Sequence, residues 1–267
     1  MTTSLGAKLK HHRQAKGYSL DKLAELLVEV CVVLAEAVGE GTSRLVLAVL
    51  RVGVLPEAMS EPVRTHLDRS SSKARDLLVD GKPVTPSYGL ENSLMTVPLE
   101  NPLAVGQSVR LEMDFSLEVP TDVELNYGVL ASYEGVLTLA HAYPVIPVYN
   151  EEGWNAELPP QAGDLTFNDA AFYLVSVTAP KDLTIVASGL ESAPVTAGRQ
   201  QVMSVAIGPA RDFFLAASRD YEIISQQVGE VTVNSYAPKS LQEQSQAALT
   251  AAVRAINTFS EQYAPYP

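Results

Sequence analysis

The chain has almost no cysteine: Cys31 is the single thiol among 267 residues. One thiol forms no internal disulfide, and Cys31 lies in an apolar run with no second thiol near it to build a cysteine-based metal site. The sequence therefore predicts folding without disulfides, in a reducing compartment or in one where redox conditions do not matter.

Long uninterrupted apolar runs are also missing. The best candidate for a membrane span, residues 23–38, contains three glutamates and is shorter than the ~18 apolar residues that a span needs. No apolar segment follows the basic start of the chain in the way a secretory signal requires. We therefore expect a soluble protein without a membrane partner, with the cytoplasm as its location.

Positive charge is scarce. The chain has 19 Lys and Arg against 31 Asp and Glu, a formal net charge of -12, whereas nucleic acid binding needs clustered Lys and Arg. Residues 1–20 are the exception, because they hold Lys8, Lys10, Arg13 and Lys16 and no acid, which leaves -16 on the rest. Any contact with DNA is expected to be confined to this segment.

Motifs that carry chemistry are absent as well. None of the four histidines, His11, His12, His66 and His141, belongs to a His-Glu-x-x-His pair. No serine lies in a Gly-x-Ser-x-Gly elbow, and no phosphate loop occurs. We expect no catalytic residue and no metal or cofactor within this chain.

What the sequence does contain is periodic. Residues 5–37 space their leucines as helices do and predict two or three short helices, whereas residues 44–55 are apolar and β-branched enough for a buried strand. Residues 60–75 are polar and indicate an exposed connection. The predicted domains are a helical segment at 1–40, a β domain at 41–238 and a helix at 239–267.

From residue 77 onward the pattern is that of short strands separated by turns. Asp80-Gly81 is a tight hairpin signal, and residues 109–119 alternate apolar with charged positions, as an antiparallel strand with one wet face does. Further strands are predicted at 125–130, 171–178, 183–187, 201–207, 213–217, 221–226 and 230–236. Without intervening helices, this series predicts a mainly β fold, an antiparallel β-sandwich.

The last segment predicts an amphipathic helix that runs to about Tyr263. Ser240 and Glu243 fit a capping box. One helical face collects Leu241, Leu249, Ala252, Val253, Ile256 and Phe259. Such a stripe needs a partner surface, so exposure of this face predicts self-association.

Aromatic residues crowd the stretch from 127 to 173. They are Tyr127, Tyr133, Tyr143, Tyr149, Trp154, Phe167, Phe172 and Tyr173. They either form a binding surface or fill the space between two sheets, and burial preference favours the second interpretation.

Several segments, in order, resemble the amino-terminal domain of aminopeptidase N-type zinc metallopeptidases over about residues 77–267. They are LENPLAVGQSVRLEMDF at 99–115, AYPVIPVYNEEGWN at 142–155, residues 169–189 and GPARDFFLAAS at 208–218. The closing EQYAPYP at 261–267 resembles the end of the first helix of that family's catalytic domain.

This resemblance implies a saddle-like sandwich that packs on a thermolysin-like catalytic domain and forms part of the wall of a peptide-binding cleft. The zinc ligands and the general base would belong to that domain, so the resemblance implies an inactive chain on its own. Tyr133 and Glu134 are the candidate cleft residues, near the position where the family places a Gln or Glu. Glu134-Gly135 also fits a plain solvated turn.

Residues 5–27 are similar to the first two helices of Cro/repressor-type helix-turn-helix domains. The next segment, VEVCVVLAEAV at 28–38, lacks the polar side chains that a recognition helix brings to base edges. Two alternatives to the metallopeptidase hypothesis stay open. The first is a helix-turn-helix regulator with a β-sandwich sensor domain, in which DNA is contacted by Lys8, Lys10, Arg13 and Lys16. The second is a free-standing β-sandwich interaction module.

Overall fold

Strands make up most of this computed structural model, which describes residues 26–37, 43–55, 73–90, 94–101, 108–119, 129–140, 142–156 and 167–266. The strands are β1 (Leu26–Ala37), β2 (Ser43–Leu55), β3 (Lys73–Val79), β4 (Lys82–Pro83), β5 (Ser87–Gly89), β6 (Leu94–Thr96), β7 (Ser108–Glu118), β8 (Leu130–Tyr133), β9 (Val136–Ala140), β10 (Tyr149–Asn150), β11 (Gly153–Trp154), β12 (Ala171–Pro180), β13 (Thr184–Ala187), β14 (Leu190–Glu191), β15 (Val195–Ala197), β16 (Gln200–Ala210), β17 (Phe214–Ser218), β18 (Tyr221–Val228) and β19 (Val231–Pro238). A short 3₁₀ turn, Lys239–Leu241, leads into the helix α1 (Gln242–Gln262). The predicted mainly β fold with a C-terminal helix is confirmed.

The larger of the two main sheets has the strand order β14-β16-β12-β1-β2-β7-β3-β4, with β15 also paired to β16. Its neighbours are antiparallel except for β2 and β7, which run parallel with Leu45 opposite Ser108. β1 and β2 form a long hairpin at the centre of the sheet, between β12 and β7.

The second main sheet, β13-β17-β9-β8, packs against the first and closes the core. β12 alternates buried and more exposed residues over its full length, as a strand with one face on a core does. Its buried side chains, Tyr173, Val175 and Val177, share one cluster with Leu139 and Leu215 of the second sheet. The two sheets therefore form a sandwich around a single core.

Several details differ from the sequence predictions. β3 begins at Lys73, inside the connection predicted at 60–75, because its first residues pair with β7. Leu26–Ala37 is a strand and not a helix, because its run of β-branched residues pairs along both neighbours, β12 and β2, and this pairing outweighs the helical spacing of its leucines. β7, predicted as an antiparallel strand, pairs antiparallel with β3 but parallel with β2. The capping box is wrong, because α1 begins after Leu241 without a side-chain cap.

The hairpin β18–β19 and α1 form a separate layer after the sandwich. The Ser235 and Ser245 hydroxyls lie 2.9 Å apart across the hairpin–helix contact, and Leu249 and Val253 are buried along the same side of the helix. The strands also carry polar cross-strand bonds, such as that from the Ser225 hydroxyl to Asn234 Oδ1 at 2.7 Å. We call residues 221–262 the hairpin–helix unit.

A buried tyrosine ties the core to the start of β17. The Tyr143 hydroxyl accepts a hydrogen bond from the Phe213 backbone N–H at 2.7 Å, and its ring meets Tyr173 edge-on at 5.8 Å. Burial, with the neighbouring Tyr173 hydroxyl as a second cause, raises the pKa of Tyr143. The folded state therefore holds this proton at a pH where the unfolded chain, with a tyrosine pKa near ~10, releases it.

Replacement of Tyr143 by phenylalanine is expected to lower the free energy of unfolding at pH 7 by about 1–3 kcal/mol, because the Phe213 N–H loses its acceptor. Above pH ~10 the unfolded state binds fewer protons than the folded state, so wild-type stability falls as pH rises. Because the variant lacks this tyrosine hydroxyl, its free energy of unfolding should fall by about 1.4 kcal/mol less per pH unit above pH ~10. Urea unfolding from pH 7 to 11 measures both effects, and identical alkaline slopes would contradict the assignment.

Candidate functional site

Tyr133 and Glu134, the candidate cleft residues, lie at the tip of the β8–β9 hairpin. Glu134 and Gly135 form its two-residue turn, both with positive φ (48° and 78°), which matches the type I′ turn that suits the twist of an antiparallel pair. Both candidate side chains are exposed. The solvated turn that the Glu-Gly dipeptide predicts is therefore present, and it presents a carboxylate and a phenol to solvent.

The turn is fixed to the last strand of the sandwich. The Ser218 hydroxyl donates to the Gly135 carbonyl at 2.7 Å and accepts from the Asp220 backbone N–H at 3.0 Å. Ser218 is fully buried, and its register partner on β9 is Val136. Gly135 suits this turn through its positive φ, and a Cβ there would lie 3.1 Å from the exposed Asp220 Oδ2, which places the Asp220 carboxylate close to the turn.

The same junction leads into the hairpin–helix unit. Asp220 directly precedes β18, so the carboxylates of Glu134 and Asp220 both lie where the sandwich passes into the following layer. Arg219 Nε donates to Asp182 Oδ2 at 2.7 Å, and this bond lowers the pKa of Asp182. The pair is exposed and contributes little to stability, about 0–1 kcal/mol, so its effect is to direct the Arg219 side chain toward the β12–β13 turn.

The crowded aromatic residues divide into two groups. Tyr143 and Tyr173 are buried and, with Phe213, fill the space between the sheets, as the packing interpretation predicts. Trp154 and Phe167 are more than half exposed. Trp154 meets Tyr149 across the β10–β11 hairpin at 4.9 Å, so this pair stabilises an exposed turn rather than the core.

The remaining predicted residues lie outside the described ranges. These are the basic residues Lys8, Lys10, Arg13 and Lys16, the four histidines and Tyr127. Within the described part of the chain, no helix is long and apolar enough to cross a membrane, and no group of three or more His, Cys, Asp or Glu could hold a metal ion. The metallopeptidase resemblance assigns its zinc ligands to a separate catalytic domain, so none of the described residues is expected to hold zinc.

Ser218 and Asp220 are not among the candidate residues that the sequence predicts. Their link to Gly135 depends on the pairing of β17 with β9, and residues 136 and 218 are far apart in the chain. The only local signal is the Ser-Arg-Asp step that follows the apolar run at 213–217, which marks a strand end and not a contact.

No family model and no curated protein matches the chain. Solved structures to which it is similar include an M1 zinc metallopeptidase from Deinococcus radiodurans, with 18% identity and a TM-score of 0.44, and a mutant of an M1 zinc metallopeptidase from the same organism, with 17% and 0.45. A mutant two-domain M1 zinc metallopeptidase bound to L-arginine gives 16% and 0.44. Each comparison covers 73% of this chain and 44% of the other, so the chain spans less than half the length of these structures.

Proposed function

We propose that this chain contributes the non-catalytic sandwich domain of a zinc aminopeptidase-like metallopeptidase and forms part of the wall of its peptide-binding cleft. The observation that carries the proposal is the position of the Glu134 turn beside Asp220, at the junction with the hairpin–helix unit. A carboxylate at this junction can accept a hydrogen bond from the amino group of a peptide that is held between the sandwich and a following domain.

The hairpin–helix unit supports the same arrangement. Its helix buries Leu249 and Val253 against the hairpin, but its last turns leave Phe259 and Tyr263 exposed, with their rings 6.1 Å apart. An apolar pair at the free end of a helix indicates a further surface that covers it. In the proposal, that surface belongs to a thermolysin-like domain, which also supplies the zinc and the general base. A cytoplasmic location is also part of the proposal.

We place the end of the sandwich domain earlier than the sequence predicts. The sequence placed the start of the catalytic-domain-like segment at residue 239, whereas α1 packs on β18 and β19. We assign the hairpin to the same segment as the helix, so the sandwich domain ends near Asp220.

A chimera tests this function. Residues 1–220, which include every strand of the two main sheets, replace the corresponding sandwich of the Deinococcus radiodurans M1 zinc metallopeptidase. Hydrolysis of aminoacyl 4-nitroanilides is measured with one zinc bound per chain. We expect measurable hydrolysis and, for Glu134→Ala, a KM raised by about tenfold with kcat little changed, the size expected when one charge-assisted hydrogen bond to the substrate amine is lost.

Glu152→Ala is the matched control, because Glu152 is also an exposed glutamate, in the β10–β11 turn. It should leave KM unchanged. A folded, zinc-loaded chimera without activity would contradict the cleft-wall role, and an equal effect of both substitutions would contradict the assignment of Glu134.

A further inference from the structure

The β10–β11 hairpin carries an exposed aromatic pair, Tyr149 and Trp154. The two residues are register partners, and their rings lie 4.9 Å apart with an interplanar angle of 67°. This edge-on contact covers at most one of the four ring faces, and Trp154 is 56% exposed. The packing interpretation that holds for Tyr143 therefore does not apply here, because the pair leaves an aromatic face open to solvent.

The hairpin holds the aromatic pair in a fixed position. Asn150 Oδ1 accepts a hydrogen bond from the Glu152 backbone N–H at 2.9 Å, and Gly153 turns the chain with φ +105°. The Asn155 N–H donates to the Val148 carbonyl at 2.8 Å and extends the pairing beyond the two short strands. Because the rings are in place before a ligand arrives, binding needs little further ordering of the protein.

The chain around the aromatic pair has charge of one sign. Residues 111–180 contain 11 Asp and Glu and no Lys or Arg. Glu151 lies in the turn of the hairpin and is exposed. Among the described residues, no Lys or Arg forms an ion pair with it. The hairpin therefore favours a cationic ligand over an anionic one.

An open aromatic face beside a carboxylate suits the guanidinium group of arginine. A guanidinium stacks on an aromatic ring, and its N–H groups bond a carboxylate at the same time. Glu151 is three residues from Trp154, so their Cα atoms are at most about 11 Å apart. The side chains of Glu151 and of an arginine that lies on the indole can bridge this distance together.

We propose that the β10–β11 hairpin binds an arginine side chain of a partner peptide, with the guanidinium on the Trp154 ring and its N–H groups bonded to the Glu151 carboxylate. The pair lies on an exposed turn and not in an enclosed cavity of the kind that holds small molecules, so the ligand is a side chain carried by a larger partner. This inference is independent of the metallopeptidase proposal, because it uses neither Glu134 nor Asp220.

Intrinsic fluorescence of the full chain tests the proposal, because Trp154 is its single tryptophan. The probe is the peptide acetyl-Gly-Arg-Gly amide, and acetyl-Gly-Lys-Gly amide is the comparison peptide of equal charge. We expect a saturable change in emission with the arginine peptide. Its half-saturation concentration should be at least about threefold lower than that of the lysine peptide, because a guanidinium stacks on aromatic rings better than the more strongly hydrated ammonium.

Glu151→Ala should raise the half-saturation concentration of the arginine peptide about threefold, the size expected when an exposed ion pair is lost. Glu230→Ala is the matched control, because Glu230 is also an exposed glutamate in a hairpin turn, between β18 and β19. It removes the same charge from the chain and should leave the half-saturation concentration unchanged.

An emission change that rises linearly with peptide, as collisional quenching of free N-acetyltryptophanamide does, would overturn the proposal. Equal half-saturation concentrations for the two peptides would also overturn it, because net charge alone would then explain binding. Equal effects of Glu151→Ala and Glu230→Ala would have the same meaning. The comparison of the two peptides uses the unmodified chain, so it does not depend on the folding of any variant.

Discussion

Replacement of Leu215 by alanine is expected to lower the free energy of unfolding by about 2–5 kcal/mol, the cost of removing a large apolar side chain from a packed core. Leu215 is 1% exposed and lies in β17, an interior strand of the second sheet. Its register partners are Ala187 on one side and Leu139 on the other, so its strand is paired along both sides and cannot simply shift to fill the space. Urea denaturation followed by far-ultraviolet circular dichroism measures the change.

Tyr263→Ala is the control for this substitution. Tyr263 is 80% exposed at the end of α1, and its truncation should change the free energy of unfolding by no more than about 0.5 kcal/mol. A loss below about 1 kcal/mol for Leu215→Ala would mean that the two sheets do not share one close-packed core.

Gly189→Ala is expected to destabilise the chain by about 2–5 kcal/mol, the sum of backbone strain and overpacking. Gly189 has φ +110°, and an added Cβ would lie 2.5 Å from the Ala206 carbonyl oxygen and 2.8 Å from Ile207 Cβ. Both neighbours belong to β16, and the pairing of β16 with β12 prevents these residues from moving away from the added Cβ. Thermal unfolding of the two chains under identical conditions provides the comparison.

Gly198→Ala separates the two causes. Gly198 also has a positive φ, +65°, but an added Cβ there meets nothing within 4 Å. Only the conformational cost should appear, about 1–2 kcal/mol. Equal losses at both positions would show that the contact with β16 contributes nothing.

Alternation and turn chemistry predicted most strands of the sandwich. β12 could be predicted from the sequence because its side chains alternate between the core and the outside. The Asp80-Gly81 turn could be predicted because Asp-Gly tolerates the positive φ that both residues adopt there. The strand Leu26–Ala37 could not be predicted, because a nearly continuous apolar run fits the hydrophobic spacing of a helix and that of a strand at once. Its pairing with β12, from distant sequence, decides between them.

The candidate site shows the same division. The Glu134-Gly135 turn was predictable from its dipeptide. Its attachment to Ser218 and its position beside Asp220 were not, because they follow from the pairing of β9 with β17. Local chemistry identifies a turn, whereas only the sheet shows which other turn or strand end lies next to it.

The central position of the β1–β2 hairpin also has a consequence for synthesis. These strands leave the ribosome early, but their outer neighbours, β7 and β12, begin at residues 108 and 171. Until those residues emerge, two long apolar strands expose unpaired edges of the kind that join other nascent chains. The sheet is also rich in contacts between distant residues, which slows folding. Production of the protein should therefore depend strongly on chaperone supply and growth temperature, with inclusion bodies as the main competing product.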